Sequence, residues 1–173
     1  MGGRRPTLNR LAAAVLFILF SPIILLFFIP LVLHFIIRSI GLGFLVNIKW
    51  ISQGKNTLFV YSQSPVWKDY IEKNIIPKIS SSSTIMNWSE RTSFNKWSLE
   101  YKVFAHWTQV HQYSFNGKTK WSGAEYNPVA IVFKPWWNPK VLRFWEAFRD
   151  YKHGKDQKLK ELENTLYNLL GRS

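Results

Sequence analysis

Few side chains in this sequence are of a type that could do covalent chemistry. Ser62 and Ser64 lie just before Pro65, at the predicted start of a helix, and a serine hydroxyl becomes a nucleophile only beside a general base. The spacing implies no neighbouring histidine, whereas serine ahead of a proline at the first helical position is a preferred N-cap, so a capping role is favoured. The 173-residue chain has no cysteine, which excludes disulfides, thiolate metal sites and thiol catalysis.

The histidines and carboxylates do not form a recognisable site either. His106 and His111 are five residues apart, His153 is distant in sequence, and no carboxylate accompanies them at metal-ligand spacing. We therefore expect these histidines at the surface or in loops, and we predict no catalytic residue, no metal site and no bound cofactor. Two acidic pairs have the spacing of solvated helix residues: Asp69 with Glu72, and Glu161 with Glu163.

The charge distribution favours anionic partners. The chain carries 23 basic and 10 acidic residues, a formal charge of +13. Only four of the basic residues and none of the acidic ones precede residue 49, so residues 49–173 carry +9. Such a balance suits phospholipid headgroups, nucleic acid or an acidic protein face.

An apolar run near the N-terminus predicts a membrane anchor. Residues 11–29 are apolar except for Ser21 and Pro22, which is long enough to cross a hydrocarbon layer of about 30 Å. No small-residue cleavage site follows, so we expect a retained anchor rather than a signal peptide. The chain then divides into a basic tail with the anchor (residues 1–48) and one small soluble domain (residues 49–173).

The segment from Leu31 to Val46 leaves two alternatives open. It stays apolar but contains His34 and Arg38, and Pro30 separates it from the first run. It is either a kinked continuation of the helix that ends in the membrane interface, or a short re-entrant or surface-lying arm. Contact with the bilayer is therefore predicted for residues 11–46. The side of the membrane on which the domain lies stays open, because basic residues flank the anchor on both sides.

Apolar periodicity predicts mixed α and β elements in the soluble part. Strands are expected at Thr57–Tyr61, Thr84–Trp88 and Val141–Trp145, and in an apolar run that follows Pro128. Helices are expected after Ser64, within the segment from Phe94 to Trp107, and after Gly154, where four leucines form one stripe. Pro77 should bend or end the first of these helices. The polar segment from His111 to Glu125 is interpreted as an inserted loop or a loose hairpin, and Pro135–Pro139 as a turn.

This order, β-α-β-α-β-β-α, resembles the thioredoxin-like fold over residues 55–171. Thr57–Tyr61 is similar to the first strand of that family, Pro77 to its helix proline, and Asn127-Pro128 to its cis-proline step. The resemblance implies a cis Asn127-Pro128 bond that faces the turn Ser62–Trp67, with a groove for an extended partner segment between them. The chain departs from the family at the redox motif, because no cysteine occupies that turn. A generic α+β sandwich is the alternative.

The nine tryptophans suggest both core and surface roles. We predict that Trp67, Trp88, Trp97 and Trp145 fill the core. Those expected in loops or turns are Trp50, Trp121, Trp136 and Trp137. The Trp136-Trp137 pair has Lys134, Lys140 and Arg143 nearby, and this basic and aromatic tip suits a membrane interface or a protein partner.

Three hypotheses of function follow. The first is a membrane-anchored, redox-inactive thioredoxin-like domain that binds another membrane or membrane-associated protein as an accessory subunit or scaffold. The second is a membrane-tethered enzyme that uses the cleft between Ser62–Trp67 and Pro128. The third is a peripheral module that binds anionic lipid. A nucleic-acid partner is disfavoured by the anchor. The residues predicted to bind the partner are Ser62, Gln63, Ser64, Pro65, Trp67, Asn127, Pro128, Trp136 and Trp137.

Overall fold

The computed structural model describes residues 6–108, 112–115, 118–121, 127–134 and 138–171. Trp136 and Trp137 lie outside these ranges, as does most of the predicted turn Pro135–Pro139. The chain divides into two compact units, one up to Ser39 and the other from Ile40 onward.

The N-terminal part forms one long helix, α1 (Pro6–Lys49), which continues through Pro22 and Pro30. The segment from Leu31 to Val46 is therefore helical, and the manner in which it contacts a membrane stays a prediction. A proline removes one hydrogen bond from a helix interior but does not by itself end an apolar helix. The stretch Phe20–Gln53 is long and apolar enough to cross a membrane, and its most apolar window has no buried residue.

The second unit is a mixed α+β domain built on a four-stranded sheet. The strands are β1 (Thr57–Tyr61), β2 (Ser83–Asn87), β5 (Val129–Val132) and β6 (Lys140–Arg143), in the order β2-β1-β5-β6. β1 pairs in parallel with β2 and antiparallel with β5, and β5 pairs antiparallel with β6. β1 has its predicted bounds, whereas β2 is shifted one residue from the prediction.

The two faces of the sheet carry separate hydrophobic cores. Side chains alternate along β1, so Leu58 and Val60 enter one core while Phe59 and Tyr61 enter the other. The first core also contains Leu42, Val46 and Trp50, together with residues of α4 (Leu99–Thr108). The second core is covered by the remaining helices: α2 (Lys68–Tyr70), a π-helical turn (Ile71–Ile75), α3 (Ile76–Ile79), α5 (Trp145–Lys152) and α6 (Gln157–Leu169).

The helix between β1 and β2 adapts to its proline. The N–H of Ile76 donates to the carbonyl oxygen of Ile71, five residues back, so the turn just before Pro77 is widened. A π-helical turn is one of the known irregularities at which helices bend. The helix then ends at Ile79, two residues beyond Pro77. The prediction that this proline bends or ends the helix is confirmed.

The segment from His111 to Glu125 contains a separate hairpin, β3 (Gln112–Phe115) with β4 (Lys118–Trp121), so the hairpin alternative is confirmed. Helix α5 departs from the predicted order. The prediction of a strand over Val141–Trp145 is wrong at its end, because α5 begins at Trp145. Phe144 is the boundary: its N–H donates to the carbonyl oxygen of Pro128 at 2.9 Å, and the helix starts at the next residue.

Candidate functional site

The turn that follows β1 is closed by hydrogen bonds among its own residues. The indole Nε1 of Trp67 donates to the carbonyl oxygen of Ser62 at 3.1 Å. The hydroxyl oxygen of Ser64 accepts from the N–H of Val66 at 3.4 Å, and its carbonyl oxygen accepts from the N–H groups of Trp67 and Lys68. The predicted N-cap role of Ser64 is wrong, because the N-cap of α2 is Trp67, which makes no side-chain cap hydrogen bond. The Ser64 hydroxyl instead accepts from backbone within the preceding turn.

The turn is also tied to the end of β2. The N–H of Gln63 donates to the hydroxyl oxygen of Ser89 at 2.8 Å. The side chain of Asn87 accepts from the N–H of Ser89 and donates to the carboxylate of Glu90 at 2.9 Å. The carboxyl ends of the parallel strands β1 and β2 thus share one polar network, at the position where ligands bind in open parallel sheets.

Asn127 and Pro128 lie at the start of β5, beside the end of β1. The Asn127-Pro128 peptide bond is cis, as the resemblance implied. Val60 is paired with Val129, so continuing that antiparallel register by two positions sets Asn127 against Ser62. The pairing of β1 with β5 thus places the Asn127-Pro128 step and the turn Ser62–Trp67, with its five predicted binding residues, at the same end of the strand pair.

Asn127 combines burial with an unmet hydrogen bond. Its side chain is only 5% exposed, yet its Oδ1 has no hydrogen-bond partner among the residues that the structure describes. Buried amide oxygens are nearly always paired, and leaving one unpaired costs about 1–3 kcal/mol. Asn127 Oδ1 is therefore an unpaired acceptor that is enclosed within the domain, and a donor from another molecule cannot reach it in this arrangement.

Tyr61 lies at the end of β1, next to this turn. Its hydroxyl donates to Oε1 of Glu72 at 3.0 Å. Burial first, and then this hydrogen bond, raise the pKa of Tyr61 to about 12, with a smaller contribution from the charge of Glu90. The phenol is thus held protonated as a structural donor, which does not suit a role as a base near neutral pH.

The carboxyl group of Glu163 on α6 is buried. Oε1 of Glu163 has no partner within the described part of the chain. Burial and the neighbouring Glu163 carboxylate raise the pKa of Tyr70 above its ordinary value, and the same two causes raise the pKa of Tyr167 to about 12. The prediction that Glu163 is a solvated helix residue is wrong, because α6 turns this position towards the sheet.

The structure offers little that would hold a metal or a cofactor. Within the described ranges, no group of three or more histidine and acidic side chains is placed to bind a metal ion. A cavity of about 250 Å³ lies at the surface between α5 and α6, lined by Asp150, Lys155, Gln157, Lys158 and Glu161. None of the predicted binding residues lines it, and Lys158 already pairs with Glu146 at 2.7 Å and with Asp150 at 3.9 Å.

Several aromatic and histidine predictions need correction. Trp97 is 80% exposed rather than in the core, because it lies in the turn before α4, with the Lys102 ammonium 5.1 Å from its ring centre. Trp50 is buried in the first core rather than in a loop. His106 is buried on α4, edge-on to the ring of Trp107. Trp88 is buried as predicted, whereas Trp67 and Trp145 are partly buried.

The exposed Trp97 and the unpaired Asn127 oxygen are the features that sequence reasoning missed. The spacing of Trp97 gave no signal of its exposure, because Trp97 lies seven residues from the buried Phe104, at helical spacing. Comparison with protein-family models, with curated proteins and with solved structures finds no match.

Proposed function

We propose that this chain is a membrane-anchored, redox-inactive thioredoxin-like domain that binds a partner protein at the turn Ser62–Trp67 and Asn127. Three structural facts support the proposed fold: the strand order β2-β1-β5-β6, the parallel pairing of β1 with β2, and the antiparallel pairing of the other neighbours. The domain is redox-inactive because the chain has no cysteine and thiol–disulfide exchange needs a thiolate.

The observation that carries the binding proposal is the position of the Asn127-Pro128 step, which lies at the same end of the β1–β5 pair as the Ser62–Trp67 turn. The buried amide oxygen of Asn127 has no partner among the described residues, so a partner that opens the start of β5 would gain a hydrogen bond there. The adjacent turn adds the exposed Gln63 and Pro65 as contact surface. An extended peptide segment is the partner that best suits a site at the ends of strands.

The anchor part of the proposal rests on α1. Its stretch Phe20–Gln53 has the length and composition of a membrane-spanning helix, and the unit up to Ser39 is rich in exposed leucine, isoleucine and phenylalanine. An exposed apolar surface of this extent would aggregate in water, whereas a lipid bilayer would cover it. The partner is then expected in, or close to, the same membrane.

Site-specific cross-linking tests the binding proposal. A photoreactive amino acid at Gln63 in the full-length chain should give a discrete adduct in membranes, and the same group at the exposed Asn95 should not. Asn127→Ala should reduce the Gln63 adduct without lowering the stability of the domain, because the lost oxygen has no partner in the free protein. Equal adducts from both positions, or an adduct that Asn127→Ala leaves unchanged, would refute this site.

A further inference from the structure

The last turns of α1 have two apolar faces, although they belong to the folded domain. Leu42, Val46 and Trp50 are buried in the first core. Ile40, Phe44 and Ile48 are equally spaced but exposed, each to more than half of its full area. The second set is offset from the first by two residues, which is about 200° around a helix of 3.6 residues per turn. The exposed stripe therefore lies on the opposite side of the helix from the first core.

We propose that lipid covers this stripe, so that the folded domain itself, and not only the anchor ahead of it, contacts the bilayer. This inference rests on the membrane location in the proposed function. The stripe, defined as Ile40, Phe44 and Ile48, is continuous in one helix with the candidate membrane span and lies within its bounds, Phe20–Gln53.

The length of the helix supports an interfacial position for the stripe. At 1.5 Å of rise per residue, the 34 residues of Phe20–Gln53 extend about 50 Å, which exceeds both the hydrocarbon layer and the bilayer with its headgroups. Some of these residues must then lie in or beyond the headgroup region. Leu42, Val46 and Trp50 pack into the first core at the C-terminal end, so we assign the excess length to that end.

Charge agrees with a lipid partner. Lys49 directly follows Ile48, about 100° around the helix from it, and its side chain is exposed. Long basic side chains at the edge of an apolar surface place their charges among headgroups while their stems stay in apolar surroundings. A protein partner of the same helix face would have no need of this arrangement, and a second copy would bring like charges together.

The absence of cysteine from the chain makes the test direct. Single variants Phe44→Cys and Ile48→Cys, labelled with a polarity-sensitive fluorophore, are reconstituted as the full-length chain in vesicles of phosphatidylcholine and phosphatidylglycerol. Lys49→Cys on the same helix is the matched control. We expect the labels at positions 44 and 48 to be quenched by lipids with nitroxide on the acyl chain, and to be several-fold less accessible to iodide than the label at position 49.

Two results would overturn the inference. Iodide that reaches positions 44 and 48 as readily as position 49 would show that water covers the stripe. Shielding that disappears when the protein is diluted into excess lipid would assign the stripe to a second copy of the chain. Retention of the chain on the vesicles is measured on the same samples, and the Gln63 cross-link is measured separately in native membranes. Failure of the stripe is therefore distinguishable from failure of the anchor or of the binding site. If Phe44→Cys or Ile48→Cys does not fold, labelled Ile40→Cys takes its place in the quenching experiment.

Discussion

The indole N–H of Trp67 is bonded to the carbonyl oxygen of Ser62 at 3.1 Å, across the turn that leads from β1 into the following helix. The same indole packs against Phe148 of α5, with ring centres 6.1 Å apart. Trp67 therefore connects the candidate binding turn to the second core. The conformation of the turn Ser62–Trp67 therefore depends on the Trp67 indole, which Phe148 holds in place.

Trp67→Phe separates these two roles. It keeps an aromatic ring against Phe148 but removes the donor to Ser62, so we expect a loss of about 0.5–1.5 kcal/mol in the free energy of unfolding. Denaturant unfolding of the full-length chain in detergent measures it. Trp97→Phe is the control, because Trp97 is exposed and a surface change of this kind stays within about 0.5 kcal/mol. Equal effects of the two substitutions would contradict a structural role for the bond.

Leu42→Ala tests whether the end of α1 belongs to the domain core. Leu42 is 6% exposed and packs in the first core, so its truncation should lower the free energy of unfolding by about 2–5 kcal/mol. Leu45→Ala, on the same helix but 40% exposed, should cost much less. If both variants unfold at the wild-type midpoint, the last turns of α1 do not contribute to the core.

Stability should fall at high pH through the buried tyrosines. The folded-state pKa is raised to about 12 for Tyr61 and Tyr167, above the ordinary value of 10. The unfolded chain therefore releases these protons first, and the stabilisation present below about pH 10 is lost as the pH approaches 12. Unfolding midpoints across this window, together with tyrosinate absorbance, provide the measurement.

The Glu72 carboxylate, which accepts a hydrogen bond from Tyr61, allows a residue-specific test of this pH dependence. Glu72→Ala removes both the hydrogen bond that is the second-largest cause of the Tyr61 shift and the charge of Glu72, so the pKa of Tyr61 should move down towards 10. Site-resolved NMR of the Tyr61 ring follows it, with Tyr167 in the same sample as the internal control. A Tyr61 titration that is unaltered by Glu72→Ala would show that the bond is not formed in solution.

The chain should show no disulfide reductase activity and should stay in the membrane fraction. Reduction of insulin disulfides needs a thiolate nucleophile, and the chain has no cysteine. Alkaline carbonate extraction should leave the protein with the membranes, whereas a peripheral protein would be released. Reduction of insulin above the buffer rate would contradict the predicted lack of reductase activity. Recovery of the chain in the soluble fraction would contradict its predicted retention in the membrane.

The sequence predicted the central strands well because their burial is nearly complete. Thr57–Tyr61 and the run after Pro128 are short, apolar and bounded by polar or turn residues, and all the residues of β1 and β5 are buried. α5 was missed because Val141–Trp145 alternates as a strand does. The spacing of Phe144, Ala147, Phe148 and Tyr151 is the helical signal that indicates α5.

The site was harder to predict than the sheet. The neighbourhood of Ser62 and Asn127 follows from element order, but the missing partner of the Asn127 oxygen depends on side-chain placement that no local pattern reports. Trp97 and Trp50 show the same limit. Tryptophan suits a core, a membrane interface and a binding surface, so its identity alone does not assign it to one of them.

The alternation along β1 has a consequence for how the strand is held in place. In a sheet with one solvent-exposed face, a shift of the strand register by one residue would expose apolar side chains to water. The free-energy cost of that exposure prevents the shift. Here both faces are buried, so a slip would instead exchange the aliphatic Leu58 and Val60 with the aromatic Phe59 and Tyr61. The native and the shifted register of β1 bury side chains of similar polarity, so side-chain shape determines the register. A designed exchange of Leu58 and Val60 with Phe59 and Tyr61 would therefore need compensating substitutions in the helices on both faces of the sheet.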